Sequence, residues 1–310
     1  MGRWIYLAVF LAVAGFVVPA STAIGRDCTP EEKAKADKQL WLNKKDNQKS
    51  VEKHMPWGAP VVGQSEALLI HRDYVINYSS TLLLPIWTAH RLDAKGLGKI
   101  ARVDCFRRDP RINAPVASLT TDYSEPIFDQ GHLSPNGDMS RALNPVLNSF
   151  VMSNMSPQYC QFNRGVWQIL ESLVRLWAKE RKTIYVITGS VFDRDSNGAH
   201  DTDGDAKRMK SNNGKARVAV PSHFYKIIID QAAGESLTIM MPHDQTDLDG
   251  ADALQYIEKH IRKVSDVQAV TGTTFGLPTS TDATALWSFT GTPARSLVND
   301  VCRKTAGHRF

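Results

Sequence analysis

Asp129-Gln130-Gly131-His132, then Ser153-Asn154 with Pro157-Gln158, then Asn163-Arg164-Gly165-Val166-Trp167 with Glu171, is the stretch that decides the reading of this chain. Gly131 predicts a tight turn that lets His132 lie close to a substrate, with Asp129 orienting the turn or the imidazole. Asn163 stands at the head of an apolar periodicity over residues 164–181, where Val166, Ile169, Leu170, Leu173, Val174 and Trp177 recur at three- and four-residue steps. That spacing predicts an amphipathic helix with Asn163 as its N-cap. On such a helix Asn163, Trp167 and Glu171 fall at i, i+4 and i+8 and drift slowly around one face.

These residue types suit one chemistry. Hydrolysis of a phosphodiester needs a base for the attacking water and positive charge for the pentacovalent oxyanion and the leaving oxygen. A histidine titrating near neutrality is the natural base. A single neutral amide oxygen suits magnesium, which keeps most of its waters, better than calcium. Glu171 would then reach those waters as an outer carboxylate. Taken singly, His132 is an ordinary turn residue, Asn163 an ordinary cap and Glu171 an exposed helix carboxylate; their joint order and spacing carry the reading.

Outward from this centre, Leu68–His71, Tyr74–Tyr78 and Pro85–His90 are short β-branched or aromatic runs that predict consecutive strands. Ile184–Thr188, Val218–Val220 with His223–Ile229, and Leu237–Met241 predict three more, and Ala251–Val264 a weaker second helix. Residues 93–128 read as loop, broken by Pro110, Pro115 and Pro126. Neither a repeat nor a Pro- or Ser-rich linker divides the chain, so residues 61–310 are expected to form one domain. Ahead of it, Thr29, Pro30 and Glu32 form a capping box that opens a Lys- and Glu-rich helix, with residues 24–60 expected as a solvated helix and flexible arm.

The connection 193–217 carries Lys207, Arg208, Lys210, Lys215 and Arg217, equally a phosphate-contacting cluster or a solvated loop. Asp201-Thr202-Asp203-Gly204-Asp205 resembles the start of a calcium loop, but Asn212 stands where its closing glutamate belongs, so it reads as a turn. With 37 Lys+Arg against 32 Asp+Glu the net charge is +5, compatible with a polyanionic partner. Hydrophobic residues at 42% and charged residues at 22% place the chain among globular proteins and exclude a wholly disordered one.

Residues 1–23 are expected to be a cleaved secretory signal: Arg3, an apolar run from Ile5 to Val18, then the small-residue exits Val18-Pro19-Ala20 and Ser21-Thr22-Ala23. The rival reading, a membrane anchor, is disfavoured by the run's length, and stable membrane association is not expected. Cys28, Cys105, Cys160 and Cys302 are even in number, widely spaced and free of any CxxC pair, which fits two disulfides in an exported protein. Three pairings are open, and a bridge at Cys160 would brace the turn ahead of Asn163. Asn77 and Asn154 lie in glycosylation sequons, the second too near the site to carry a glycan.

The quoted motifs, together with Val218–Lys226, resemble the DNA/RNA non-specific endonucleases over roughly residues 60–270. The family pattern is D-R-G-H, S-N-x-x-P-Q, then N-x-x-x-W-x-x-L-E. The resemblance implies an α+β architecture, the ββα-metal fold on a central antiparallel sheet flanked by helices. It also implies a Mg²⁺-dependent endonuclease, with Mn²⁺ as a possible substitute, that acts on DNA or RNA without sequence specificity and leaves 5′-phosphates. By this likeness His132 is the general base, Asn163 the direct metal ligand and Glu171 the carboxylate that orients coordinated water. Asn154 and Gln158 support the site, and Arg107 resembles an upstream phosphate-contacting arginine. One position departs from the pattern: Gln130 replaces an arginine, a loss of about two to three decades in rate unless Arg107, Arg108 or Arg164 compensates. A catalytically weak module that binds nucleic acid or another polyanion is the alternative. DNA or RNA preference and oligomeric state, a homodimer included, are left open.

Overall fold

The β-branched runs form one sheet because they bury both of its faces. The structure, a computed structural model, describes residues 25–60, 66–98, 100–210, 216–293 and 302. The expected signal segment, Asn212 and Lys215 lie outside them. After β1 (Arg26–Asp27) come helices α1 (Pro30–Lys38) and α2 (Lys44–His54), then strands β2 (Glu66–Ile70), β3 (Val75–Ser79) and β4 (Leu84–Asp93). The predicted capping box at Thr29 and Glu32 is formed. β5 (Val103–Asp104) pairs in parallel with β1.

The site region follows: β6 (Phe128–His132), α3 (Leu143–Ser149), β7 (Met155–Tyr159), α4 (Cys160–Arg164) and α5 (Val166–Arg181). β8 (Thr183–Val191), the short hairpin of β9 (Arg208–Lys210) and β10 (Ala216–Ala219), β11 (His223–Asp230) and β12 (Glu235–Pro242) come next. The expected single helix at 251–264 is instead α6 (Gly250–Lys259), the edge strand β13 (Ile261–Arg262) and α7 (Val264–Thr271), followed by β14 (Thr281–Asp282). β13 breaks the helix there because it pairs with β12.

The main sheet runs β13-β12-β11-β8-β4-β3-β2, with β14 beside β12. Its neighbours are antiparallel, except that β14 lies parallel to β12. Alternation sends Trp87, Ala89, Ile187, Tyr225, Ile227 and Ile229 to one core, and Leu92, Ile184, Val186, Phe224 and Ile228 to the other, under α5. The predicted apolar stripe of α5 packs on that second face, with Val166, Trp167, Ile169, Leu170, Leu173, Val174 and Trp177 at most 1% exposed.

The N-terminal segment departs from the expected flexible arm. Residues 44–54 are an ordered helix in which Ser50 and His54 are buried. Ser50 Oγ donates to the His71 carbonyl, His54 Nε2 bonds the Arg72 carbonyl at 3.1 Å, and His54 Nδ1 accepts the Arg91 N–H at 3.0 Å. These bonds fasten α2 across the sheet edge, through partners that lie far away in sequence. Asn77 and Asn154 are both buried, which removes both sequons from the surface of the folded chain.

Candidate active site

β6 and β7 form a separate antiparallel ribbon that pairs Asp129 with Gln158, Gly131 with Ser156 and His132 with Met155. Gly131 therefore lies within a strand, not in the expected turn. Its role is close approach: a β-carbon there would lie 2.1 Å from Gln158 Oε1 and 2.3 Å from Cδ. The Gln158 amide is buried with neither Nε2 nor Oε1 partnered among the described residues. Asn154 is fully paired: its Oδ1 accepts the Ser134 N–H, and its Nδ2 donates to the carbonyls of Ser134 and Ser149. It locks the exit of β6 to the entry of β7.

His132 ends β6 in an aromatic wall, edge-on to Phe150 at 4.7 Å and 6.0 Å from Phe106. Its Nε2 is buried and unpartnered among the described residues, so Nδ1 is the nitrogen that water can reach. Burial, with a smaller push from the Arg102 charge, holds the imidazole well below its usual pKa. The ring is therefore neutral near pH 7, the state a base requires.

The helix over 164–181 begins two residues later than expected. Asn163 is not its N-cap: it lies in the separate turn α4, and Gly165, at φ −100° and ψ −117°, caps α5. A β-carbon at Gly165 would sit 2.5 Å from the Gln161 carbonyl oxygen. The break removes the common helix face proposed for Asn163, Trp167 and Glu171, and Trp167 is buried in the core. Asp129 orients Asn163 instead. Its Oδ2 accepts Asn163 Nδ2 at 2.9 Å and Arg164 Nε at 2.8 Å, and its Oδ1 accepts Arg164 Nη2 at 2.8 Å. A carboxylate can bond only the NH₂ end of the amide, so Asn163 Oδ1 is turned away from Asp129.

Glu171 is partly buried over a polar row on the α5 face of the sheet. Lys226, at 1% exposure, donates to Thr188 Oγ1 at 2.9 Å and lies 4.6 Å from the Trp167 ring centre. Asp138 takes His90 Nε2 at 3.0 Å and Arg175 Nη1 at 3.1 Å. Burial raises the Glu171 carboxyl, and the charges of Lys226 and Arg175 oppose that rise. Burial likewise lowers Lys226, against the pull of Glu171 and Asp138.

Arg107 is placed differently from the expected phosphate contact. It is 3% exposed, and its donors go to Asp37, the carbonyls of Cys105 and Leu147, and Asn148 Oδ1. Arg108 donates to the Ile112 carbonyl. Gln130 reaches the Thr120 carbonyl at 3.5 Å. Arg102, which the motifs do not single out, lies 5.0 Å from the Phe150 ring centre and donates to Asp104 at 2.6 Å. Its charge acts on both His132 and Glu171. Arg102 carries no local sequence signal, and Lys226 lies in the Val218–Lys226 stretch of the family likeness, where nothing local marks it as a site residue before strand pairing brings it beneath Glu171.

The disulfides are Cys28–Cys105 and Cys160–Cys302, and the second braces the first residue of α4 as expected. Asp205 N–H bonds the Thr202 carbonyl, which makes 201–205 the expected turn. Nearby, Asp193, Asp195 and Asp201 bring carboxylate oxygens within 4.8 Å of one another, and backbone amides of residues 194, 197 and 198 bond them.

Residues 52–282 match the family model of the DNA/RNA non-specific endonucleases. The chain belongs to that family. Its matched region is accordingly a phosphodiester-hydrolysing endonuclease domain, and its family is metal-dependent. The chain is 34% identical over 174 residues to Nuclease C1 of Cunninghamella echinulata var. echinulata, which covers 54% of this chain and 66% of that protein. It is 28% identical over 226 residues to human mitochondrial Endonuclease G, 71% of each chain. It is 26% identical over 298 residues to bovine ectonucleotide pyrophosphatase/phosphodiesterase family member 3, 85% of this chain and 33% of that protein. The chain thus spans between a third and about seven tenths of these relatives.

For the nuclease domain the donors around Asn163 fit a hard, hydrated divalent ion. Asn163 offers one neutral oxygen, and in the adjoining β6–β7 ribbon the Gln158 amide oxygen, buried against Gly131, is unpartnered among the described residues. Among the described residues no helix is long and apolar enough to cross a membrane.

Proposed function

We propose that this chain is a secreted, Mg²⁺-dependent endonuclease that cleaves DNA, RNA or both without sequence specificity and leaves 5′-phosphates. The observation that carries the reading is Asp129, which holds Asn163 and Arg164 together and turns the Asn163 oxygen outward from the ribbon that ends in His132. Asn163 Oδ1 would hold the ion, which when bound supplies Lewis-acid stabilisation at the leaving oxygen. His132 takes the proton of the attacking water at Nδ1. Glu171, pushed up to about 7 by burial, accepts hydrogen bonds from water in the site in its ionised form, which the Lys226 charge behind it favours. Arg164 and Arg102 bring guanidinium groups to the site where Gln130 brings no charge, each already paired with a carboxylate, Asp129 and Asp104.

The test is plasmid cleavage by the purified chain with Mg²⁺ or Mn²⁺, with EDTA, and with His132→Ala. Loss of the base should lower the rate by about two to four decades, and EDTA should abolish cutting. Cutting that survives either change overturns the mechanism. A wild-type chain that binds nucleic acid but does not cut it supports the second reading, a polyanion-binding module, which Gln130 favours. N-terminal sequencing of secreted protein tests removal of residues 1–23.

A further inference from the structure

The β6–β7 ribbon has two faces, and the alternation of side chains puts His132, Gln130 and Phe128 on the same one, with Tyr159 opposite Phe128. At the Phe128 end lies a cavity of about 220 Å³ whose lining includes Tyr159, Arg194, Asp201, Lys207, Ser222 and His243. Lys207 Nζ lies 6.0 Å from the centres of both the Phe128 and Tyr159 rings and donates to the Tyr159 hydroxyl at 3.4 Å. That bond uses the phenol as acceptor, so its own hydrogen stays available. Among the described residues the side chains of Lys207 and Arg194 have no carboxylate partner. The carboxylate in the lining, Asp201, already accepts the backbone N–H of Arg194 at 2.8 Å.

The wall is rigid. His243 Nε2 accepts the Tyr159 backbone N–H at 2.7 Å, and its Nδ1 donates to the Pro221 carbonyl at 2.9 Å. The Tyr159 ring is packed against both Phe128 and His243, at 4.7 and 4.6 Å. Unlike Arg208 and Arg217 of the same connection, whose guanidinium groups are spent on carbonyls and Asp122, Lys207 is exposed at the cavity.

We propose that Lys207, Arg194 and the Tyr159 hydroxyl form a subsite for an internucleotide phosphate of the bound strand, on the ribbon face that leads to His132. The four-residue span from Phe128 to His132 is about 13 Å, or about four base steps of B-form duplex. The subsite thus grips the strand a few nucleotides from the bond to be cut and supplies charge on a face where Gln130 supplies none. The nature of the ligand rests on the nuclease reading above, but the measurement does not.

The test is anisotropy of a short fluorescent DNA duplex bound by the full chain in EDTA, across a salt series. Each lost phosphate contact lowers the slope of log K against log salt by about 0.9. Lys207→Gln and Arg194→Gln should each lower the slope in part, and the double variant, which leaves that one phosphate without a cation, should lower it by about 0.9. The charge-conserving pair Lys207→Arg and Arg194→Lys should retain the wild-type slope, which a merely structural role would not predict. An unchanged slope in the double variant overturns the subsite. So does a loss that the charge-conserving pair shares, or wild-type binding without salt dependence. Failure of plasmid cleavage with the slopes behaving as expected would remove the nuclease reading and leave the subsite standing.

Discussion

At Gly131 the Gln158 side chain fills the volume a β-carbon would need. Gly131→Ala should therefore destabilise the chain by about 1–3 kcal/mol, the range for forced overpacking, and displace the ribbon that carries His132. In a Gln158→Ala background the same substitution should cost much less, because the obstructing amide is gone. Urea unfolding of the two singles and the double measures this, and additive costs would refute the contact. The sequence made Gly131 legible as a constrained position but not the constraint. A turn and a close strand approach both call for glycine, and only the partner strand distinguishes them. The same holds for Arg107: its place beside two cysteine-linked segments, with every nitrogen engaged, is invisible until α1 and α3 have packed around it.

Among the elements, the break between α4 and α5 does most to place Asn163. The apolar period from Val166 to Trp177 was legible and is correct, but it continues in phase back to Asn163. Nothing local announced that the helix stops at Gly165. The break exists because Asp129 on β6 pulls Asn163 and Arg164 toward the ribbon while Trp167 is committed to the sheet core. Gly165→Ala sets a β-carbon 2.5 Å from the Gln161 carbonyl. It should shift α4, lower cleavage by at least about tenfold, equivalent to about 1.4 kcal/mol of lost transition-state stabilisation, and weaken Mn²⁺ binding followed by paramagnetic resonance. Unchanged Mn²⁺ affinity would show that the break does not set the ligand. The strands of the main sheet, by contrast, were readable almost throughout, since their β-branched runs are buried on both faces.

For the whole molecule, two histidines that fasten distant segments set an acid limit. His54 lies against the sheet edge, and burial pushes it down to about 3; His243 holds Tyr159 to the loop at Pro221, and burial pushes it down to about 4. Both bind protons more readily in the unfolded chain, near pH 6.5, than in the folded one. Stability is therefore full above pH 6.5 and falls as pH drops from there toward the folded-state values. At pH 5 the loss is about 2 kcal/mol for each histidine, an upper bound. Urea midpoints measured with the disulfides intact should decline over that window, and His54→Gln should flatten the decline. A midpoint unchanged between pH 7 and pH 5 would refute the coupling. This acid sensitivity was not legible in the sequence, because it depends on carbonyls and amides contributed by residues 72, 91, 159 and 221.

The Cys160–Cys302 bridge spans 142 residues and joins the head of α4 to a cysteine made late in synthesis. During translation the ribbon, the sheet and α5 all emerge before its partner exists. The covalent brace on the turn bearing Asn163 can close only after Cys302 has left the ribosome, and only where thiols are oxidised. Completion of the site thus waits on a residue that follows the ribbon, the main sheet and α5 in the chain, and on an oxidant for the two thiols.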